Sequence, residues 1–339
     1  MRTGKVTIKD VAKECGVSAS TVGYILGGSN TYKFKPETKK LVEDAAAKLK
    51  YRPNPIAASF RKQKNNIIIG IVGNVYRYVD AIHVKSLEKE FRKHGYNLVV
   101  QFLTGMTDQD KIKFFKKVYL WGGGIVIIDF GVTNEKYQKE LAELLENAPP
   151  TVSLFHQLKG SKANYAQVNW RNSFGLVADY LKKEQRRFAG CCTGFEEQSV
   201  FEKFSPAMNK QKIDSVLISP DKSVGYCNYY KAGHIIAEKI LAMDKIPDAL
   251  YCISDEITFS IVQALQRKGI KIPEDILMVS GGDSDFYQWF NFPTPVLLHD
   301  IEALTQSAAN DLIERIEKGE QSCGSGKCTI SINQKMIFQ

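Results

Sequence analysis

Lys and Arg are the residues of this 339-residue chain whose placement most clearly implies chemistry. Residues 1–65 hold 14 of them against 5 Asp and Glu, a net +9 that equals the charge of the whole chain. The remaining 274 residues carry 32 of each sign. A cationic segment on a neutral body is the charge pattern of a polyanion reader joined to a second function. Residue types that would run an enzyme do not assemble. His83, His94, His156, His234 and His299 show no metal-ligand spacing, and no nucleophile stands in a base-paired motif. Trp121-Gly-Gly-Gly124 precedes an apolar run, whereas a phosphate-cradling glycine loop follows a strand and opens a helix. The seven cysteines are scattered, and Cys191, Cys192 and Cys252 lie in apolar runs as small buried hydrophobes. Cys323-Gly-Ser-Gly-Lys-Cys328 reads as a surface loop with free thiols, since two thiolates do not complete a tetrahedral metal site. The expectation is no catalysis, no metal and no cofactor.

The basic segment encodes helices at fixed places. Thr7-Ile8-Lys9-Asp10 opens the first, with Thr7 as cap and Asp10 reaching back. Ile8, Val11 and Ala12 share a face, and Gly16 ends the helix. Ser18 caps a second helix over about Ala19 to Leu26, with Val22 and Leu26 inward. Ala19, Ser20, Gly23 and Tyr24 fall on its outer face. Pro36 sits at the first position of a third helix, whose Leu41, Val42, Ala45, Ala46 and Leu49 close a small core. A helix–turn–helix of this kind places its second helix in the major groove of DNA. The stretch Tyr51 to Arg61 has Asn54 as cap and Pro55 as helix start, but only two turns before Lys62-Gln-Lys-Asn-Asn66. So short a helix is marginal alone and forms best when docked. Basic flanks and Phe60 fit a segment that orders on DNA and wedges the minor groove.

The ordered set Val6-Thr-Ile-Lys-Asp-Val-Ala-Lys-Glu-Cys-Gly-Val-Ser-Ala-Ser-Thr-Val22, Tyr51-Arg-Pro-Asn54 and Ala57-x-x-Phe60 resembles the headpiece and hinge of the lactose/galactose-repressor family of bacterial transcriptional regulators. The resemblance implies a homodimer on a pseudo-palindromic operator of double-stranded DNA, with paired hinge helices in the minor groove. It implies DNA contacts from Thr7, Ser18, Ala19, Ser20, Thr21, Tyr24, Lys33, Lys35, Asn54, Ala57, Phe60 and Arg61. Two positions depart from the family pattern. Tyr24 stands where Arg is usual, which removes a bidentate guanine contact. Phe60 stands where Leu is usual.

From Ile67 onward, strands alternate with helices. Strands are expected at Ile67–Gly73, Tyr96–Leu103 and Gly124–Asp129, with helices at about 81–94 and 108–119. A second series has strands at Arg187–Thr193, Ser215–Ser219, Ala249–Ser254 and Ile276–Gly281. Such alternation implies parallel sheets covered on both faces, with ligands at the carboxyl ends of the strands. The fold class expected is therefore an N-terminal all-α headpiece plus an α/β core of two doubly wound parallel-sheet subdomains. Pro247 to Asp255, Lys268 to Asp283 and Pro293 to Asp300 make this body similar to the family's effector core, which itself resembles periplasmic sugar-binding proteins. The expected divisions are a headpiece at 1–51, a hinge and linker at 52–65, and a core at 66–339. Within the core, one subdomain takes about 66–181 and 299–325, the other about 182–298 and 326–339.

The resemblance places Asn74, Tyr76, Asp129, Asn169, Trp170, Lys203, Ser254, Asp255 and Asp283 at a cleft for a small-molecule effector, a sugar or sugar derivative; the same chemistry suits a nucleobase, and Tyr226 is a further candidate there. Trp170 or Tyr226 would stack on an apolar ring face, and the polar groups would hold hydroxyls. Asp255 and Asp283 could equally cap helices. Lys203 replaces a usual Arg, Asn169 a usual Asp and Ser254 a usual Asn. No apolar run approaches the ~20 residues of a membrane span, and the N-terminus lacks an apolar signal core. The expected location is cytoplasmic. The alternative of a transport-type sugar-binding protein leaves the basic headpiece without a role. A DNA reader of this charge should lose affinity for duplex DNA steeply and log-linearly with salt. A salt titration by fluorescence anisotropy checks this; a flat plot contradicts it.

Overall fold

The computed structural model describes residues 6–27, 34–52, 65–132, 134–155, 157–194, 198–220, 228–282, 288, 290, 292 and 294–338. By contacts the chain falls into two units, Met1–Asn66 and Ile67–Gln339.

In the first unit α1 (Ile8–Cys15), α2 (Ala19–Leu26) and α3 (Pro36–Lys48) pack on one another. The Asp10 carboxylate accepts from the Thr7 backbone N–H at 2.8 Å and from the Thr7 hydroxyl at 2.7 Å. Gly16 ends α1 at φ 64°, a left-handed conformation that costs glycine little. Ser18 Oγ accepts from Thr21 N–H at 3.0 Å and so caps α2. Val11, Ala12, Cys15, Val22, Val42, Ala45 and Ala46 form the core, with Leu26, Leu49 and Tyr51 packed around it. Leu41 is not part of it. It stands 51% exposed, because the buried stripe runs through 42, 45, 46 and 49, and 41 falls just outside that stripe.

The second unit contains two six-stranded sheets. The strands are β1 (Ile67–Val72), β2 (Asn97–Phe102), β3 (Gly124–Ile127), β4 (Thr151–Phe155), β5 (Asn164–Val168), β6 (Phe188–Cys192), β7 (Asp214–Ile218), β8 (Ala249–Cys252), β9 (Leu277–Gly281), β10 (Val296–Leu298), β11 (Cys328–Ile332) and β12 (Lys335–Ile337). The first sheet has the order β11-β5-β4-β3-β1-β2 and the second β12-β10-β9-β8-β6-β7. Pairings are parallel except β10 with β12. Helices α4 (Tyr78–Lys93), α5 (Asp108–Val118), α6 (Glu135–Glu146), α7 (Trp170–Lys183), α8 (Gln198–Lys210), α9 (Tyr229–Leu241), α10 (Asp255–Gln266) and α11 (Ile301–Glu317) connect them. Both faces of each sheet are buried. Leu87, Phe91, Ala308 and Leu312 cover one face of the first sheet, and Ile112, Phe115, Leu141 and Leu145 the other. Ile236, Ile257 and Ile261 cover one face of the second, and Phe174, Phe204 and Met208 the other.

The structure corrects the sequence reading at several points. The strands β4 and β5 went unread, because Thr151, Ser153 and Asn164 break their apolar runs. Helix α7 falls within the stretch expected in the first subdomain, yet Phe174, Val177 and Leu181 pack with Cys191, Phe204 and Tyr251 on the second sheet. The terminal segment, expected whole in the second subdomain, is divided: β11 pairs with β5 in the first sheet and β12 alone joins the second. Cys323 is 2% exposed and sits in the core with Leu141, Leu145 and Ala163, rather than on a surface loop. Its carbonyl accepts from Thr151 N–H at 2.9 Å, and Arg315 fastens the same loop through Ser322 O at 2.8 Å. The chain therefore passes between the sheets at 168–170, 298–301 and 332–335.

Phe91 is fully buried between α4 and the first sheet. Its truncation to Ala should cost about 3–5 kcal/mol, read by urea unfolding of the full chain. A loss below 1 kcal/mol would contradict the packing described.

Candidate nucleic-acid interface and ligand cleft

On α2, Val22 is buried while Ser20 and Tyr24, four residues apart, stand exposed on the opposite face. Ala19 and Thr21 are half-buried beside them, and Ser18, Thr7 and Lys35 are exposed. The Ser18 and Thr21 hydroxyls lie 2.9 Å apart, so the cap of α2 also presents a polar pair at the helix start. Exposed Lys9, Lys13, Lys39, Lys40 and Arg52 add charge to this unit. Lys33, Asn54, Ala57, Phe60 and Arg61 lie outside the described residues.

In the second unit, a cavity of about 320 Å³ collects side chains from both sheets at their carboxyl ends. Ile128 and Asp129 follow β3, Phe155 ends β4, and Arg77 precedes α4. From the other side come Trp170 at the start of α7, Lys203 on α8, Tyr229 at the start of α9, and Tyr251, Ser254, Gly281 and Gly282 from the ends of β8 and β9. His299 and Gln334 belong to two of the crossings. Phe155 holds φ 75°, an uncommon left-handed conformation for a side chain of its size, at the wall of the cavity.

Four of the ten residues expected at the cleft line this cavity: Asp129, Trp170, Lys203 and Ser254. Ser254 also caps α10, its Oγ accepting from Ile257 N–H at 3.3 Å. The others are elsewhere. Asn74 is fully buried, and its side-chain oxygen accepts from Tyr76 N–H at 3.0 Å. Tyr76 is 70% exposed and lines a separate hollow with Asn228, Tyr229, Tyr230 and Glu256. Asn169 caps α7 through Asn172 N–H at 3.3 Å and donates to Asn333 Oδ1 at 3.1 Å, tying two crossings together. Asp255 is buried in the first turn of α10 and accepts from Ser280 Oγ at 3.4 Å. A Cβ at Gly282 would fall 2.1 Å from its Oδ1, so glycine there makes room for this carboxylate. Tyr226 and Asp283 lie outside the described residues. A further cavity of about 200 Å³ lies behind Asp129, among Phe130, Gln138, Leu141 and Gln157. It draws on one sheet only, whereas the larger cavity joins both.

Arg77, Phe155, Tyr229, Tyr251, His299 and Gln334 were missed from sequence. Arg77 stands three residues after Asn74 in the loop already suspected, and His299 lies within the crossing strand already recognised. Tertiary placement alone marks the rest.

Arg77 organises the charge. Its guanidinium lies 3.7 Å from Asp80 Oδ1 and stacks 5.3 Å from the Tyr229 ring centroid. Burial opposes its charge, but Asp80, Tyr229, Asp129 and Glu256 together outweigh that and raise its pKa well above the ordinary value. Asp80 and Asp129 belong to the first half, Tyr229 and Glu256 to the second. Glu256 Oε1 also accepts from Tyr78 N–H at 3.4 Å across the same gap. Burial, reinforced by Cys252, pushes the Cys192 thiol well up, as for a packing residue.

An exposed polar helix face on a basic three-helix unit, followed by a two-sheet core with a cleft at its crossings, is the make-up of a DNA-binding regulator with a binding-protein-like core. Comparison with known proteins agrees. Residues 7–54 match the model of bacterial regulatory proteins of the lacI family, and residues 177–325 that of the periplasmic binding protein-like domain. The chain thus carries a lacI-family helix–turn–helix domain followed by a periplasmic-binding-protein-like domain. It is 25% identical over 323 residues to the HTH-type transcriptional repressor PurR of Vibrio parahaemolyticus, covering 93% of each chain. It is 26% identical over 281 residues to catabolite control protein A of Staphylococcus aureus, covering 81% of this chain and 82% of that one. Among solved structures, the Lac repressor bound to ONPG superposes with a TM-score of 0.79 at 16% identity, over 98% of each chain. That likeness is one of fold.

Because Arg77 and Asp80 share one buried electrostatic site, Arg77→Met and Asp80→Asn should not act additively. A double-mutant cycle by urea unfolding should give a coupling of about 0.5–3 kcal/mol. Strict additivity would contradict the pairing.

Proposed function

We propose that this regulator is a repressor that binds a pseudo-palindromic operator as a homodimer, and that a sugar or sugar derivative in the cleft controls it. The observation that carries the reading is that the cavity is built from both halves of the core at their crossings. A ligand bridging Asp129 and Arg77 on one side with Trp170, Lys203 and Ser254 on the other favours one arrangement of the halves over another. Trp170 and Phe155 supply flat apolar surfaces, and the charged groups and hydroxyl supply partners for ligand hydroxyls. Tyr226 and Asp283 are proposed as further contacts of the same ligand.

On DNA, Ala19, Ser20 and Tyr24 read the major groove. Thr7, Ser18, Thr21, Lys33, Lys35 and Arg61 are proposed to contact phosphates or groove edges. Asn54 and Ala57 shape the hinge, and Phe60 is the wedge at its centre. Tyr24 offers one hydroxyl where an arginine fork would make a bidentate guanine contact, so its base preference differs.

Lys203 is exposed on α8, away from the cores, so its loss should leave the fold intact. The effector is first found by thermal-shift screening of mono- and disaccharides and their phosphates. Lys203→Ala should then weaken the effector's influence on operator binding by at least about tenfold, the worth of a ~1.4 kcal/mol contact. Operator affinity without effector should stay unchanged. An unchanged response would move the site out of the cleft.

A further inference from the structure

The cleft lies at the carboxyl ends of the strands, and a separate cavity of about 210 Å³ lies at the amino ends of the second sheet. Leu277 opens β9 there, and Thr294 and Pro295 lead into β10. Tyr180, near the end of α7, meets Phe338, just after β12, edge to face at 5.2 Å, and both line the cavity. Its walls therefore adjoin α7, β10 and β12, the three elements by which the chain enters or leaves the second sheet at the crossings.

One cation stands in this wall. Arg186 donates from Nη1 to Glu274 O at 3.3 Å and from Nη2 to Pro273 O at 3.0 Å. Those carbonyls orient the guanidinium without neutralising it, and among the described residues no carboxylate forms an ion pair with it. Its Nε is buried and has no hydrogen-bond partner among them. Thr294 is fully buried, and its hydroxyl likewise has none. Buried polar groups are nearly always paired, so two orphans around one small cavity are an uncommon conjunction. Burial, reinforced by Glu184 and opposed by Arg186, pushes the Tyr180 hydroxyl up, so it stays protonated and can donate. Glu184 also belongs to the wall, but it is exposed, where solvent and salt screen its charge.

We infer that this cavity is a second ligand site, apart from the cleft, for a small organic monoanion such as a carboxylic acid on a single ring. The carboxylate answers the Arg186 charge and accepts from the hydroxyls of Thr294 and Tyr180. The hydrocarbon part lies against Leu277, Pro295 and Phe338, apolar groups of the same wall. One cation with a carboxylate nearby favours a single negative charge and disfavours the double charge of a phosphate.

Fluorine NMR titration of the full-length protein with para-fluorobenzoate and para-fluorophenylacetate tests this, with para-fluorobenzamide as the neutral control. The expected result is saturable binding of at least one acid and none of the amide. Arg186→Met and Thr294→Val should each weaken that binding by about tenfold, the worth of a charge-assisted hydrogen bond. Thr294→Val keeps the side-chain shape and removes an unpartnered buried hydroxyl, so urea unfolding should find its stability unchanged or raised. It therefore decides even if the Met variant, which also loses two bonds to carbonyls, does not fold. Acid binding unchanged in either folded variant, as for a site in the cleft, would overturn the inference. So would the absence of saturable acid binding, equal binding of the amide, or displacement of the acid by equimolar inorganic phosphate.

Discussion

Three short crossings between two parallel sheets are the constraint on which the rest of the core depends. Each sheet buries both faces, so each half is a packed body that deforms little. Relative change between the halves is thereby concentrated at 168–170, 298–301 and 332–335 and in the contacts that bridge the gap. The crossings are themselves tied: Asn169 N–H donates to Ile332 O at 2.7 Å, and the Asn169 and Asn333 side chains are hydrogen-bonded. Strand carboxyl ends open onto the same gap. The cavity and the crossings therefore coincide, as the proposed effector role requires.

Charge adds a second tie across the gap. Arg77 answers to carboxylates from both halves, and Glu256 reaches back to the Tyr78 backbone. A ligand entering beside Asp129 and Tyr229 competes for the same guanidinium. The arrangement favoured by Arg77 alone and that favoured by a ligand need not be the same, and in the proposed function their difference in free energy is what an effector would supply.

Much of the fold was legible in the sequence because parallel strands buried on both faces read as unbroken apolar runs, as at Ile67–Val72. The headpiece was legible through its caps: Thr7 with Asp10, Gly16, Ser18 and Pro36 mark helix ends by local chemistry. Strand β4 was not legible because Thr151 and Ser153 interrupt its apolar run, and β5 because Asn164 is acceptable in a sheet only through distant partners, Asp311, Ser325 and Lys327. The terminal strands share a continuous propensity, and nothing local says that Asn333-Gln334 divides them between sheets. The same limit applies to the cleft. Asp129, Trp170, Lys203 and Ser254 follow strand ends or open helices and could be placed. Asn74, Asn169 and Asp255 have equally suitable chemistry, yet their oxygens satisfy backbone or neighbouring groups. Arg77 meets Asp80 locally, but it meets Tyr229 and Glu256, as His299 meets His83, more than 100 positions away.

In the proposed function, a basic helix–turn–helix unit reads DNA as part of a symmetric, ligand-controlled repressor. Selection of bound sequences from a random duplex pool by the purified full-length protein tests it most directly. The account predicts enrichment of a two-fold symmetric motif with a deformable pyrimidine–purine step at its centre, where an apolar wedge can enter. A single asymmetric half-site, or no enrichment despite tight binding at low salt, would contradict it.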